Sequence, residues 1–222
     1  CREGIMEATG SYFYYLHDRL TESGYKVTVV NPLHLHEVLG KKTDKLDAQR
    51  LLVAYMTGVV KGSYIPTGEM LELRELTRYR QGLVEKATQV KNEIRKFLET
   101  AGYKIEPFDR RGRALLEKLT KGEKLSKEER NELGEKLGRK LNRAERLALR
   151  QLVELLKSLE GMIKEVEEVI MSKVPEPVVE LSKVPGIGIV SAASIYAELG
   201  DVSRFPDSKE AKAYAGFAPR TK

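Results

Sequence analysis

Apolar positions recur along this chain in two rhythms, one short and β-like near the N-terminus, one long and helical through the middle. Gly4-Ile5-Met6-Glu7-Ala8 is a brief, mostly apolar run ending at a Thr-Gly-Ser turn, which predicts a buried strand. Tyr12, Phe13, Leu16 and Leu20 then fall at helical spacing up to Gly24, a residue suited to the position after a helix. Lys26-Val27-Thr28-Val29-Val30 is β-branched and closes at Asn31-Pro32, a second strand. A further helix is expected from near Thr43 through Leu46, Leu51, Leu52, Val53 and Met56 to Gly58. Strand, helix, strand, helix implies parallel strands. Parallel sheets are normally buried on both faces and two strands rarely stand alone, so further strands are expected N-terminal to Cys1. The opening on Cys rather than Met agrees with a fragment.

The middle of the chain carries the clearest pattern. Leu73, Leu76, Arg80, Leu83, Ala87, Val90, Ile94, Phe97 and Ala101 step alternately by three and four, a heptad seam broken once, by Arg80. A second seam runs through Ala148, Leu152, Leu155, Leu159, Met162, Val166 and Val169, flanked by Leu149, Leu156, Ile163 and Ile170. So wide an apolar stripe needs more than one neighbour. Two long helices folded back as an antiparallel pair, with a second copy of the chain on the remaining stripe, satisfy it. Between the seams, Ser126…Glu129 and Asn142…Glu145 have capping-box spacing. Pro175 and Pro177 then break the pattern, and Leu181 to Ile195 reads as a helix, a Pro185-Gly186-Ile187-Gly188 turn and a small-residue helix. The expected organisation is an α/β part at 1–65, a helical dimerisation region at 66–174 and a C-terminal helical part at 175–222.

Charge and composition narrow the chemistry. The 222 residues hold a net charge of +6, and residues 110–146, with 13 basic against 7 acidic side chains, account for all of it. A local basic excess suits a phosphate-binding surface, because Lys and Arg displace condensed counterions; a solvated Glu/Lys-rich helical surface has the same composition. Cys1 is the single cysteine, which excludes a disulfide framework and a cysteine zinc site. No apolar run approaches the length of a membrane span, and no secretory signal is present in the sequence.

Two constellations remain. The Pro-Gly-Ile-Gly turn has the form of a helix-hairpin-helix, whose backbone amides can face a phosphate without reading sequence. Glu7 sits at the end of a predicted strand, where open α/β sheets place ligands, and Asp44 and Asp47 are three apart at a helix start. Three converging carboxylates suit Mg²⁺. The same spacing equally suits capping and helix-dipole complementation. Candidate nucleic-acid contacts are Lys42 beside the carboxylates, Arg74 and Arg78 in the first long helix, and Lys183, Gly186, Ile187 and Gly188 at the hairpin.

Taken in order, Met6-Glu7-Ala8-Thr9-Gly10-Ser11-Tyr12, Val30-Asn31-Pro32, Lys42-Thr43-Asp44-Lys45-Leu46-Asp47-Ala48, Leu73-Arg74-Glu75-Leu76-Thr77-Arg78-Tyr79-Arg80 and Val184-Pro185-Gly186-Ile187-Gly188 resemble one family. It is the DEDD transposases of the insertion-sequence one-ten group, described as RNA-guided recombinases. The stretch from Leu199-Gly200-Asp201 through Phe205-Pro206 to Gly216-Phe217-Ala218-Pro219 resembles the same family's second domain. The resemblance implies α/β plus all-α architecture: a partial RNase H-like (RuvC-like) domain, a long antiparallel coiled-coil insertion and a C-terminal helical domain with a helix-hairpin-helix. It maps the family's Glu onto Glu7 and its last two Asp residues onto Asp44 and Asp47. The family's first Asp and its nucleophilic serine are expected outside this chain, so the segment is expected to be inactive alone.

The resemblance further implies Mg²⁺-dependent DNA strand exchange through a serine–DNA intermediate. A structured non-coding guide RNA and DNA are the implied partners, in a cytoplasmic, nucleoid-associated prokaryotic protein without membrane contact. A homodimer through the coiled coil is expected, with pairing into a tetramer left open. Two rival readings stand beside it: a RuvC-like metal-dependent nuclease of branched DNA, and a non-catalytic nucleic-acid-binding dimer.

Overall fold

In the computed structural model, the described residues are 2–8, 10, 12–31, 44–60, 62–104, 106–126, 128–129 and 140–217, with the backbone alone described at 44–47. The chain forms two compact units, Cys1–Thr67 and Gly68–Lys222.

The first unit holds β1 (Glu3–Glu7), α1 (Tyr12–Glu22), β2 (Lys26–Val30) and α2 (Asp44–Met56). The strands pair parallel, Glu3 opposite Lys26 and Glu7 opposite Val30. Beyond α2 the chain returns to the far side of β2, where the Ser63 amide donates to the Val29 carbonyl at 2.6 Å. Ile5, Val30, Leu51, Ala54 and Val60 pack together, so α2 covers the sheet face that carries Ile5. α1 packs on β2 with a face different from the one its sequence suggests. His17 is buried, whereas Tyr12 and Leu16 are exposed. The apolar spacing announces the helix correctly but misplaces its inward side, because an imidazole, with its apolar body, fills the inward position.

In the second unit, α3 (Gly68–Thr100) and α5 (Arg143–Lys173) are the long helices. Ion pairs Glu72–Lys173, Arg80–Glu167 and Lys91–Glu160 link rising numbers on one helix to falling numbers on the other, so the pair is antiparallel. Arg80, the polar break in the first seam, is thereby neutralised by Glu167 across the interface, and Arg80 Nε donates to Glu167 Oε1 at 2.8 Å. Asn142 and Glu145 form a reciprocal capping box at the start of α5.

The second seam is rotated from its expected position. Leu149, Leu156 and Ile170 are buried and Ile163 packs on the core, while Leu155, Met162 and Val169 are exposed. The core line therefore joins the expected flank to half of the expected seam, since Leu159 is buried and Leu152 and Val166 pack on the core. The cause is α4 (Arg110–Lys121), whose Leu115, Leu116 and Leu119 join the same core and draw α5 round towards them. Burying one such aliphatic side chain contributes about 1.5–3 kcal/mol. In the first seam, by contrast, Leu83, Ala87, Val90 and Ile94 are buried as the spacing predicts, and the inward position passes from Phe97 to Leu98 at the end.

The C-terminal elements are α6 (Glu176–Ser182), α7 (Ile189–Leu199), a 3₁₀ turn (Val202–Arg204) and α8 (Ser208–Tyr214). Ala192, Ala193 and Ala197 of α7 are fully buried against Leu73, Ile170 and Val178, so α7 packs on both long helices and on α6. No described helix is long and apolar enough to cross a membrane.

Candidate functional site

In the first unit the geometry starts from β1. Side chains alternate across a strand, so Glu7 lies on the face of Glu3 and Ile5, which is the face α2 covers. Glu7 is the last residue of β1 and half-buried. Among the described residues it makes no hydrogen bond or ion pair. Asp44 is the first residue of α2 and Asp47 the fourth. Their positions continue the 3,4,3 register that ends in the packed residues Leu51 and Ala54. Among the described residues no three His, Cys, Asp or Glu side chains gather as a metal group; the side chains of Asp44 and Asp47, like all of Lys42, lie outside that description.

In the second unit the hairpin is built by a tight turn. Pro185 and Gly186 occupy its centre, Gly186 has φ +89°, and the Ile187 amide donates to the Val184 carbonyl at 3.0 Å. Proline followed by a positive-φ glycine is the signature of a type II turn. Gly188 follows as the residue before α7, with φ −74° and ψ 161° and no side-chain cap on the helix's first amides. A Cβ added at Gly186 or Gly188 would meet no atom of the described residues within 4 Å. The backbone conformation explains Gly186, but no contact among the described residues explains Gly188. Lys183, Val184, Pro185, Gly186 and Gly188 are exposed and Ile187 is half-buried; Lys183 pairs with Glu180.

Arg74 occupies a place that differs from its expected role as a nucleic-acid contact, and Arg78 is exposed but paired with an acid of the same unit. Arg74 is 5% exposed, and it donates from Nε to the Ala197 carbonyl at 2.8 Å and from Nη2 to the Glu198 carbonyl at 3.1 Å. These are carbonyls of the last turn of α7, which lack partners within the helix. Its guanidinium is buried at a helix–helix junction and so does not face a ligand. Arg78, one turn on, grips the Glu198 carboxylate with two bonds, at 2.6 and 2.8 Å. The Arg78 hydrogen bonds, helped by the charges of Arg78 and Arg74, hold the Glu198 carboxyl below its ordinary value against the opposing effect of burial. Together the two arginines fasten α7 to α3.

Glu198 escaped the sequence reading because its partner stands 120 residues away, with no short-range signal between them. Arg204 had a local one. Its guanidinium lies 4.1 Å from the Phe205 ring centre and 4.2 Å from that of Tyr214, and it donates to the Leu199 carbonyl. That sandwich ties α8 to the end of α7.

Residues 2–102 match the family described as "Transposase" of the DEDD, IS110 type, and residues 179–222 match "Transposase IS116/IS110/IS902 family". The chain is 29% identical over 218 residues to a "Probable family 20 transposase" of Pseudomonas aeruginosa, with 97% of this chain and 60% of that protein covered. It is 26% identical over 218 residues to the transposase for insertion sequence element IS1111A of Coxiella burnetii, covering 97% of this chain and 56% of that protein. A transposase for element IS1328 of Yersinia enterocolitica is 24% identical over 224 residues, covering 99% of this chain and 61% of that protein. The chain thus spans somewhat less than two thirds of the length of the curated relatives it matches.

Proposed function

Because this chain belongs to the DEDD-type insertion-sequence transposases, we propose that it is the part of an RNA-guided DNA recombinase in which Glu7, Asp44 and Asp47 hold Mg²⁺. The observation that carries the proposal is the position of Glu7. It ends a strand of a parallel pair, on the face covered by the helix that opens with Asp44 and Asp47. A half-buried carboxylate without a described partner, together with the two carboxylates that the sequence supplies at the start of the covering helix, would make a hard-oxygen donor set of the kind Mg²⁺ takes. Mg²⁺ there supplies charge stabilisation at a phosphate and a lowered pKa for an attacking hydroxyl.

The chain's own residues hold that ion and orient the DNA. In the full-length protein a serine Oγ outside residues 1–222 displaces a DNA hydroxyl from phosphorus, and the hydroxyl of the acceptor strand later displaces the serine. A structured non-coding RNA selects both DNAs, and RuvC-like strands from elsewhere in the protein complete the sheet beside β1. The exposed line Leu155, Met162, Val169 recurs every seven residues on α5, and a second copy of the chain covers it as a coiled-coil partner.

The competing nuclease reading cleaves by metal-activated water and forms no protein–DNA bond. Full-length protein, the transcribed flanking RNA and end-labelled DNA from the element's terminus distinguish the two after quenching in SDS. Label is expected to migrate with the protein. Efficient cleavage with no label on the protein sinks the serine step and favours the nuclease.

The hairpin has its own test. Gly188→Ala meets no atom of the described residues and needs no change of backbone, so its stability is expected to fall by no more than about 1 kcal/mol, the N-cap preference for Gly over Ala. Its affinity for duplex DNA is expected to fall, since a methyl group intrudes where a phosphate approaches the amides of α7. Gly186→Ala, which must hold φ +89°, is expected to cost about 1 kcal/mol or more of stability. Equal binding by Gly188→Ala and wild type would return the hairpin to a plain helix–helix turn.

A further inference from the structure

We propose that the cations gathered where α4 ends and α5 begins, Lys121, Lys124, Lys140 and Arg143, form a docking surface for a nucleic-acid phosphate backbone, separate from the hairpin. The proposal rests on the reading of this chain as a nucleic-acid-binding transposase and assigns a role to four of the 13 basic side chains of residues 110–146.

The first observation is proximity. Gly122, which ends α4, stands so close to the first turn of α5 that an added Cβ would lie 3.2 Å from Cδ of Arg146. Arg146 is itself fastened by a hydrogen bond from Nη1 to the Leu141 carbonyl at 2.9 Å. Leu125 and Leu141, the neighbours of Lys124 and Lys140, both pack on the core that also holds Leu119 and Leu149. All four cations are therefore carried on backbone anchored to a single core, and all four are exposed.

The second observation is the ionic accounting around them. Three other basic residues of this region have structural partners, Arg113 with Glu160, Lys118 with Glu129 and Arg146 with a carbonyl, while Arg110, at the start of α4, has none among the described residues. Of the carboxylates, Glu117 is engaged by Lys157 and by the charge of Lys121, and Glu145 by the capping box; Glu123, exposed between Lys121 and Lys124, has no ion pair among the described residues. Lys121, Lys124, Lys140 and Arg143 have no ion-pair or hydrogen-bond partner among the described residues.

The third observation separates function from helix electrostatics. Lys121, in the last turn of α4, complements the helix dipole. Arg143 does the reverse: it is the first residue of α5, with Lys140 just before it, at the positive end of that helix. Cations there are unfavourable by a few tenths of a kcal/mol at an exposed site, so folding does not account for them. A polyanion does. Each phosphate neutralised releases condensed counterions, and a helix N-terminus beside the cations adds to the attraction.

The test is a salt titration of the full-length protein against two probes, a 30-base-pair mixed-sequence DNA duplex of about that length and a hairpin RNA, as fluorescence anisotropy. The quadruple variant K121Q/K124Q/K140Q/R143Q is expected to bind about tenfold or more weakly at ~0.15 M salt, with the slope of log K against log salt shallower by about 3. Its melting temperature is expected to match or slightly exceed that of wild type, so loss of binding is not loss of fold. Loss on the RNA arm alone assigns the surface to the guide, on the DNA arm alone to the target, and on both to the shared backbone; each supports the proposal. A wild-type slope in a folded variant overturns it while leaving the hairpin reading intact. Failure of wild type to bind either probe overturns the nucleic-acid reading and this proposal with it.

Discussion

Glu7→Gln, Asp44→Asn and Asp47→Asn in the full-length protein are each expected, on the proposed metal-binding role, to reduce DNA strand cleavage by about a thousandfold or more, with folding and nucleic-acid binding retained. The amides keep the volume and planar shape of the carboxylates but lose the negative charge that a divalent cation requires. Holding a metal against developing phosphate charge is worth several kcal/mol in the transition state, and about 4 kcal/mol is a thousandfold in rate. The stability effect is expected to be small at Glu7, which makes no described ion pair or hydrogen bond to lose. The checks are cleavage of end-labelled DNA in Mg²⁺ and a thermal melt on the same preparations. Full activity in Asp44→Asn and Asp47→Asn would make these residues ordinary caps of α2 and leave the non-catalytic reading in possession.

Arg74→Ala is expected to destabilise the second unit by about 3 kcal/mol. Two carbonyls at the end of α7, those of Ala197 and Glu198, lose their partner at a site that is 5% exposed. An unsatisfied buried polar group costs about 1–3 kcal/mol, and the vacated guanidinium leaves a gap besides. Arg74→Lys is expected to recover only part, because one ammonium does not reproduce the geometry of Nε and Nη2. Arg78→Ala, at an exposed pair, is expected to cost only about 0.5–1 kcal/mol.

The Arg78 contribution depends on pH in a defined direction. Arg78 lowers the carboxyl pKa of Glu198 in the folded state relative to the unfolded chain. The bridge therefore stabilises fully above the ordinary carboxylate value of 4.5 and is lost as pH falls through the lower folded value. Urea melts of wild type and Arg78→Ala at pH 7 are expected to differ, and the difference to vanish on acidification below that range. An Arg74→Ala protein as stable as wild type would show that the α3–α7 clamp is not what holds the hairpin to the long helices.

Local patterns foretold the elements with few errors. The β-branched run at 26–30 became β2 with the same bounds, the heptad spacing from Leu73 onward became α3, and the capping signal at Asn142…Glu145 became the start of α5. Parallel pairing of β1 and β2 followed from the helix between them, since a strand–helix–strand order leaves little other choice. That Glu7 ends a strand and Asp44 opens a helix was legible for a similar reason: a strand end and a helix start are one-dimensional features. Side-chain direction was less legible. His17 turned inward on α1 in place of Leu16, and the core line of α5 passed through Leu149, Leu156 and Ile170 rather than Leu155, Met162 and Val169. Periodicity fixes which residues share a face, but the neighbour that covers the face selects among adjacent lines, and here that neighbour includes α4.

The arginines mark the limit most clearly. Arg74 and Arg78 read as part of a basic stretch, yet Arg74 is buried and Arg78 is paired, because the carbonyls and the acid they bind arrive from α7, more than a hundred residues on. Conversely, Lys121, Lys124, Lys140 and Arg143 stand out only after the ion pairs of the folded chain have claimed their neighbours. Helix and strand identity, turn chemistry and family membership are encoded in contacts between residues close in sequence, and these were readable from the first residue onward. Which charges are spent within the fold and which remain for a ligand depends on pairs brought together by packing, and no local pattern carries that information.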